Sequence, residues 1–270
     1  MCTTCGCGSD EITIDGAAPH DDHHTPDHQT HDQHTHDHHA HGHDHQHHEP
    51  RTVALEQDIL AKNQLFAERN RGWFAGREVL AVNLMSSPGA GKTSILERTI
   101  RELHDTLPIS VLEGDQATSA DADRIRASGA PVVQINTGTG CHLDAHMVAH
   151  GVERLAPLRG SLLLIENVGN LVCPALFDLG EQARVVILSV TEGDDKPQKY
   201  PHMFRIANLL LINKIDLLPY VRFDMERCIA GARDINPSAQ VLRISAETGE
   251  GMPGWYDWLT RQNTRAAAVA

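Results

Sequence analysis

SSPGAGKTS, residues 86–94, lies between the apolar run VLAVNLM (79–85) and a segment with helical spacing. A glycine-rich turn that leaves a strand and opens a helix is the setting of a phosphate-binding loop. Its backbone N–H groups surround phosphate oxygens, a lysine reaches the outer phosphates, and a hydroxyl holds Mg²⁺. Here Gly89, Ala90 and Gly91 supply the tight backbone, Lys92 the cation and Thr93 the Mg²⁺ hydroxyl, with Ser94 beside it. Ser86 stands where the pattern G-x-x-x-x-G-K-[ST] has its first glycine. An ordinary glycine-rich turn is the competing reading of the loop taken alone.

Outward from the loop, six more apolar runs follow at intervals: ISVLEGD (109–115), PVVQIN (131–136), SLLLIEN (161–167), RVVILSV (184–190), NLLLINK (208–214) and QVLRIS (240–245). They are continuous rather than alternating, and helical segments separate them. That pattern predicts an α/β fold, a mostly parallel sheet with helices on both faces. Ligands of such sheets sit at the carboxyl ends of the strands. Before the first strand, Val53–Asn70 has apolar residues spaced by three and four, which predicts an amphipathic helix broken by Gly72 and Gly76.

The strand ends carry the remaining chemistry. Asn213, Lys214 and Asp216 follow an apolar strand as N-K-x-D, where the aspartate can accept from the N1–H and 2-amino group of guanine. Adenine offers donors in the wrong places, and leaving such bonds unpaired discriminates by roughly 10⁴-fold. Ser245 and Ala246, in SAETGEG, resemble the loop that covers the base in GTPases. Asp115 in EGDQAT and Glu166 in IENVG are placed to hold Mg²⁺ and its waters, and the Gly169 amide to meet the γ-phosphate. Capping of the following helices is the alternative for the two acids.

Composition divides the chain. Residues 1–50 hold no Lys or Arg and ten acids, so they carry −10 of the net −13, and 14 of the 19 histidines lie between His20 and His48. Too little of this segment is apolar to offset the entropy of ordering it, which predicts a disordered tail over 9–50 behind a short cysteine motif at 1–8. Residues 51–270 suffice for one α/β domain. Neither part offers a basic patch, which argues against nucleic acid or an anionic membrane as partner. Without a long apolar stretch or a leader-like N-terminus, the expected location is the cytoplasm. In that reducing compartment six cysteines suggest metal ligands or buried thiols. The tail imidazoles suit Ni²⁺, Cu²⁺ and Zn²⁺ over Mg²⁺.

Taken together, MCTTCGCG, the histidine run, NLMSSPGAGKTS, EGDQAT, GTGCHLDA, IENVGNLVCPALFDLGE, TEGDDKPQKYP and NKIDLLPY resemble the HypB family of hydrogenase nickel-incorporation GTPases. The resemblance implies a P-loop NTPase of the SIMIBI type that forms a homodimer on binding nucleotide or metal and hydrolyses GTP to GDP slowly. It also implies a HypA-type nickel chaperone and a hydrogenase large-subunit precursor as partners, and a histidine tail that stores nickel. Two metal sites come with it: Cys2, Cys5 and Cys7, and Cys141, His142 and Cys173. The first suits Ni²⁺ in a square-planar thiolate set, with tetrahedral Zn²⁺ as the alternative. The second holds Ni²⁺ or Zn²⁺. A urease-type maturation GTPase and a nickel storage protein are the rival functions. Outside these sets, Cys228 is expected to be a small buried hydrophobe; His146 and His150 are expected to be a solvated helix surface, with added metal ligation on the face shared with His142 as the alternative; and Glu192, Asp194 and Asp195 have no assigned role.

Overall fold

Seven runs rich in Val, Leu and Ile, each bounded by polar turns, suit a sheet layered with helices on each side; the central ones are buried on both faces, and the last, at 240–243, is partly exposed. In a computed structural model of the chain, which describes residues 13–15, 49–116 and 119–269, they form the strands β2 (Leu80–Ser86), β3 (Ile109–Asp115), β4 (Val132–Asn136), β5 (Leu162–Glu166), β6 (Ala183–Ser189), β7 (Leu209–Asn213) and β8 (Gln240–Arg243). With a short β1 (Thr13–Ile14) they make one sheet in the order β1-β4-β3-β5-β2-β6-β7-β8. Every pairing from β4 to β8 is parallel. Residues of β2 alternate between two layers. Leu80, Val82 and Leu84 pack with Ile95, Leu96 and Ile100 of α2 (Lys92–Leu103) and with Trp255, Trp258 and Leu259 of α8 (Met252–Val269). On the opposite face Ala81 joins Phe74 of α1 (Glu49–Gly76) and Val148 of α4 (Ala145–Leu155). Met85 joins the layer containing Cys228 and Ile229 of α7 (Met225–Ile235). Cys228 is the buried apolar residue expected, and its surroundings push the thiol up to about 12.

Two departures from the sequence expectation have physical causes. Helix α1 runs through Gly72 and ends at Gly76, so only the second of the two glycines breaks it. A mid-helix glycine costs about 1 kcal/mol, whereas the turn it would interrupt buries Phe74 completely, worth about 1.5–3 kcal/mol. Asn63 and Asn70 of the same helix also bond the start of α4, accepting from the Ala145 amide at 2.9 Å and donating to the Ala145 carbonyl at 2.7 Å. The second departure is β1, which lies within the segment assigned to the tail. Thr13 pairs with Asn136 and Ile14 with Ile135, antiparallel, and Ile14 is 3% exposed. Asp15 Oδ1 accepts from the Gln134 amide at 3.0 Å, and Arg154 donates to the Ile14 carbonyl. One buried isoleucine between two bonded neighbours suffices to hold a two-residue edge strand, a signal that a composition average over 42 residues hides.

Candidate nucleotide and metal site

The loop after β2 turns through left-handed Gly89 and Gly91, at φ of 75° and 99°. Gly91 is required twice over: besides its dihedral, a Cβ there would lie 2.5 Å from Asn213 Nδ2. Asn213 donates to the Ala90 carbonyl at 2.9 Å and accepts from the Ala246 amide at 3.2 Å, while Lys214 Nζ donates to the Gly89 carbonyl at 2.7 Å. The N-K-x-D motif thus splints the phosphate loop. Asp216 accepts from Ser245 Oγ at 2.5 Å, which leaves its carboxylate fixed beside the Ala246 loop. Ser86, the residue that breaks the glycine pattern, closes β2 and accepts from Lys92 Nζ at 2.9 Å. The backbone at that position belongs to the strand, so no glycine is needed.

Thr93 Oγ1, in the first turn of α2, donates to Glu166 Oε1 at 2.8 Å. Glu166 Oε2 is buried and has no hydrogen-bond partner among the described residues. An orphaned carboxylate oxygen beside a threonine hydroxyl at a strand end fits a hard divalent cation such as Mg²⁺, which takes oxygen ligands. Burial raises the Glu166 carboxyl to about 7, against the opposing pull of Lys92. Asp115 stands at the end of the neighbouring strand β3. Sequence reasoning gave no role to Glu113, which faces Glu166 across the β3–β5 ladder. Desolvation, then the Glu166 charge, push it up to about 9, and its Oε2 is also without a hydrogen-bond partner among the described residues. An acid inside an otherwise apolar strand was the available signal. Glu192 is a second omission: it accepts from Ser87 Oγ in the phosphate loop and from the Ser189 amide at 3.1 Å, joining the loop to the end of β6.

Cys141 and His142 lie in the loop after β4, and Cys173 opens a short turn of 3₁₀ helix after β5. Cys141 Sγ is 2.8 Å from Cys173 Sγ and 3.7 Å from His142 Nδ1, and all three ligand atoms lie within 4.8 Å of one another. Metal–thiolate bonds of about 2.3 Å would need the sulfurs to part from 2.8 Å by about 0.5 Å at a square-planar cis angle and by about 1 Å at a tetrahedral one. His142 stacks on Phe177 at 3.9 Å, and burial lowers its pKa, favouring the neutral imidazole that binds metal. A single segment connects this cluster to the phosphate loop. Gly169 presses on Pro88, where a Cβ would meet the proline backbone at 3.0 Å. Asn167 accepts from the Leu143 amide at 3.0 Å, and Asn170 donates to the Cys141 carbonyl at 3.4 Å.

Cys2, Cys5, Cys7 and the histidines from His20 to His48 lie outside the described residues. His146 and His150 are half-buried and face each other, not a solvated surface. Phe66 of α1 covers the His146 ring, which a one-helix projection cannot show. Asp194 caps toward α7, accepting from the Asp224 amide at 3.0 Å, and Asp195 pairs with Lys199 at 2.7 Å.

A central strand running through a glycine-rich turn into a helix, with N-K-x-D splinting that turn from a neighbouring strand, defines a P-loop nucleotide-binding protein of the parallel-sheet class. The profile of the CobW/HypB/UreG nucleotide-binding domain matches residues 80–243. The hydrogenase maturation factor HypB of Escherichia coli K12 is 48% identical over 97% of this chain and 99% of its own. The crystal structure of HypB from Archaeoglobus fulgidus superimposes with a TM-score of 0.71 at 44% identity, covering 75% of this chain and 99% of that one. HypB from Helicobacter pylori, crystallised in complex with nickel, gives 0.71 at 34% identity over 76% and 96%. This chain belongs to the HypB hydrogenase maturation factors.

Proposed function

We propose that this protein is a GTP-hydrolysing carrier that binds, stores and delivers Ni²⁺ during maturation of a [NiFe]-hydrogenase. The observation that carries the reading is the continuous contact from the phosphate loop through Gly169 and Asn170 to Cys141, which puts nucleotide and cargo ion on one segment. Lys92 and the loop amides bind the phosphates, Asp216 and Ser245 select guanine, and Thr93 with Glu166 holds Mg²⁺, Asp115 ordering its waters. Bound Mg²⁺ neutralises charge developing on the phosphates. Arrival or loss of the γ-phosphate displaces Gly169 against Pro88, and the displacement passes to the Cys141/His142/Cys173 cluster, where Ni²⁺ or Zn²⁺ is held. Neither the phosphate loop nor the strand ends present a dedicated base, so hydrolysis is slow and serves as a timer, completed by contacts in a homodimer. On this reading the partners are a HypA-type nickel chaperone and the hydrogenase large-subunit precursor, in the cytoplasm, as the family resemblance implies. Cys2, Cys5 and Cys7 act as the tight delivery site, its ligands independent of the phosphate loop's geometry.

The test is a Ni²⁺ titration of the full chain with GDP and with a non-hydrolysable GTP analogue, the Cys141→Ala difference spectrum isolating the thiolate cluster. Affinity at the cluster should differ several-fold between nucleotides, a coupling of about 1 kcal/mol or more. Equal affinities would remove the delivery reading.

A further inference from the structure

Arg98 lies on α2 beyond the first turn that carries Lys92 and Thr93, and its side chain reaches across to the loop after β8. Its Nη1 donates to the Ala246 carbonyl at 3.1 Å and to the Glu247 carbonyl at 3.0 Å. Nη2 lies against Gly249, where any Cβ would collide with the guanidinium and where φ is 88°. A planar, permanently charged fork is suited to holding two carbonyls at once, and its bonds are charge-assisted. The loop closes on itself through the Gly249 amide to the Ser245 carbonyl and the Ser245 amide to the Glu250 carbonyl, both at 2.8 Å. Those bonds shape the loop without fixing where it sits. Ser245 Oγ anchors one end on Asp216 at 2.5 Å, while the Ala246 amide is held only at 3.2 Å by Asn213. Arg98 therefore supplies the grip from α2, and one rigid helix carries both the phosphate-binding turn and the loop beside the base.

We propose that Arg98 is a positioning residue for base selection: by holding the Ala246 and Glu247 carbonyls it sets the Ala246 N–H at the edge of the base that carries O6. Guanine has an acceptor there and adenine an amino donor, so an amide fixed at that point binds the first and turns away the second. Asp216 reads the other edge, the N1–H and 2-amino group. The two groups thus divide the base between them, and Arg98 acts on one half alone. This role rests on the guanine reading of the site. It does not depend on the metal cluster or on delivery of nickel.

The experiment compares the binding of GDP, IDP and ADP, each with Mg²⁺, to the full chain and to Arg98→Met, which keeps an apolar stem and removes the donors. In the variant, GDP and IDP affinities should each fall about tenfold, as expected for lost charge-assisted hydrogen bonds at a half-buried site, while ADP affinity stays within about twofold. IDP keeps O6 and lacks the 2-amino group, so an equal loss for GDP and IDP places the defect on the O6 edge and not at Asp216. In steady-state hydrolysis KM for GTP should rise by a similar factor and kcat stay within about twofold, because the groups that meet the phosphates are untouched. A general loosening of the fold would weaken ADP binding as well, so it cannot imitate the result. Unchanged GDP affinity, a loss shared by ADP, or a GDP loss that IDP does not match would each overturn the role of Arg98. A parent chain that binds GDP no better than ADP would remove the guanine reading itself, and the role of Arg98 with it.

Discussion

Asp216 concentrates the choice of base into one carboxylate. Ser245 Oγ donates to it at 2.5 Å, and its backbone lies in the first turn of the 3₁₀ helix that follows β7. Replacing it with Asn substitutes an amide donor for an acceptor at the guanine N1–H and 2-amino positions, while the serine bond can persist. Asp216→Asn should lower GTP affinity by about 10³-fold or more and improve binding of xanthosine triphosphate, whose 2-carbonyl accepts from an amide. Competition binding of the two nucleotides measures this, and unchanged GTP affinity would remove the guanine assignment. Gly169 is a residue of the opposite kind, defined by what it lacks. Gly169→Ala puts a Cβ about 3 Å from the Pro88 backbone, and such overpacking costs about 1–3 kcal/mol. The cost falls on the contact between phosphate loop and metal segment, so the variant should lower both melting temperature and the nucleotide dependence of Ni²⁺ binding.

At the scale of elements, β3 and β5 bring Glu113 and Glu166 into register inside a nearly dry layer. Both carboxyls are raised, to about 9 and about 7, so between the usual carboxylate range and those values the fold keeps protons that the unfolded chain has released. The associated stability is whole below a pH of about 4.5 and is lost as pH rises through about 7 for Glu166 and about 9 for Glu113. Without nucleotide and Mg²⁺, the melting temperature should therefore fall between about pH 5 and about pH 9. Glu113→Gln, which cannot ionise, should melt at least about 3 °C above the parent at pH 9 and close to it at pH 5, followed by calorimetry. A parallel decline in both proteins would contradict the paired-carboxylate account. The edge strand β1 makes its own prediction. Ile14→Asp places a charge in a nearly closed apolar position and should expose the Asn136 amide region to hydrogen exchange while the rest of the sheet keeps its protection.

On the scale of the whole molecule, the chain joins two kinds of ligand. Tail histidines have reference pKa values near ~6.5 and the terminal thiols near ~8.5, and both must lose protons to bind metal. Lowering the pH from about 7.5 to about 5.5 should release most histidine-bound Ni²⁺ first, whereas the multi-thiolate site, starting from a larger binding free energy, should hold its ion over more of that range. Ni²⁺ release should be biphasic. Removal of residues 20–48 should erase the first phase and Cys2→Ala should erase the second. Release in one step by the intact protein would end the division into a histidine store and a cysteine delivery site. Among the described residues no helix is long and apolar enough to cross a membrane.

The sequence by itself determined the central strands, because a run buried on both faces must be apolar throughout and little else in a chain of this composition is, whereas β8 at the edge is only partly buried. It also determined the position of Lys92, Thr93, Glu166 and Asp216, since each follows such a run at the end where parallel sheets leave space for ligands. Tertiary structure decided the contacts that make the site one object: Asn213 against Ala90, Gly169 against Pro88, Asn170 against Cys141 and Glu113 against Glu166. These pairs come from strands and loops far apart in the chain, and only the strand order sets them side by side. The same holds for His146 and His150, whose spacing is visible in the sequence, whereas the packing of Phe66 from α1 against the His146 ring is not. β1 lay below the reach of composition for a further reason. Two residues carry no period, and their place on the sheet is set by an edge that exists only once β4 has folded.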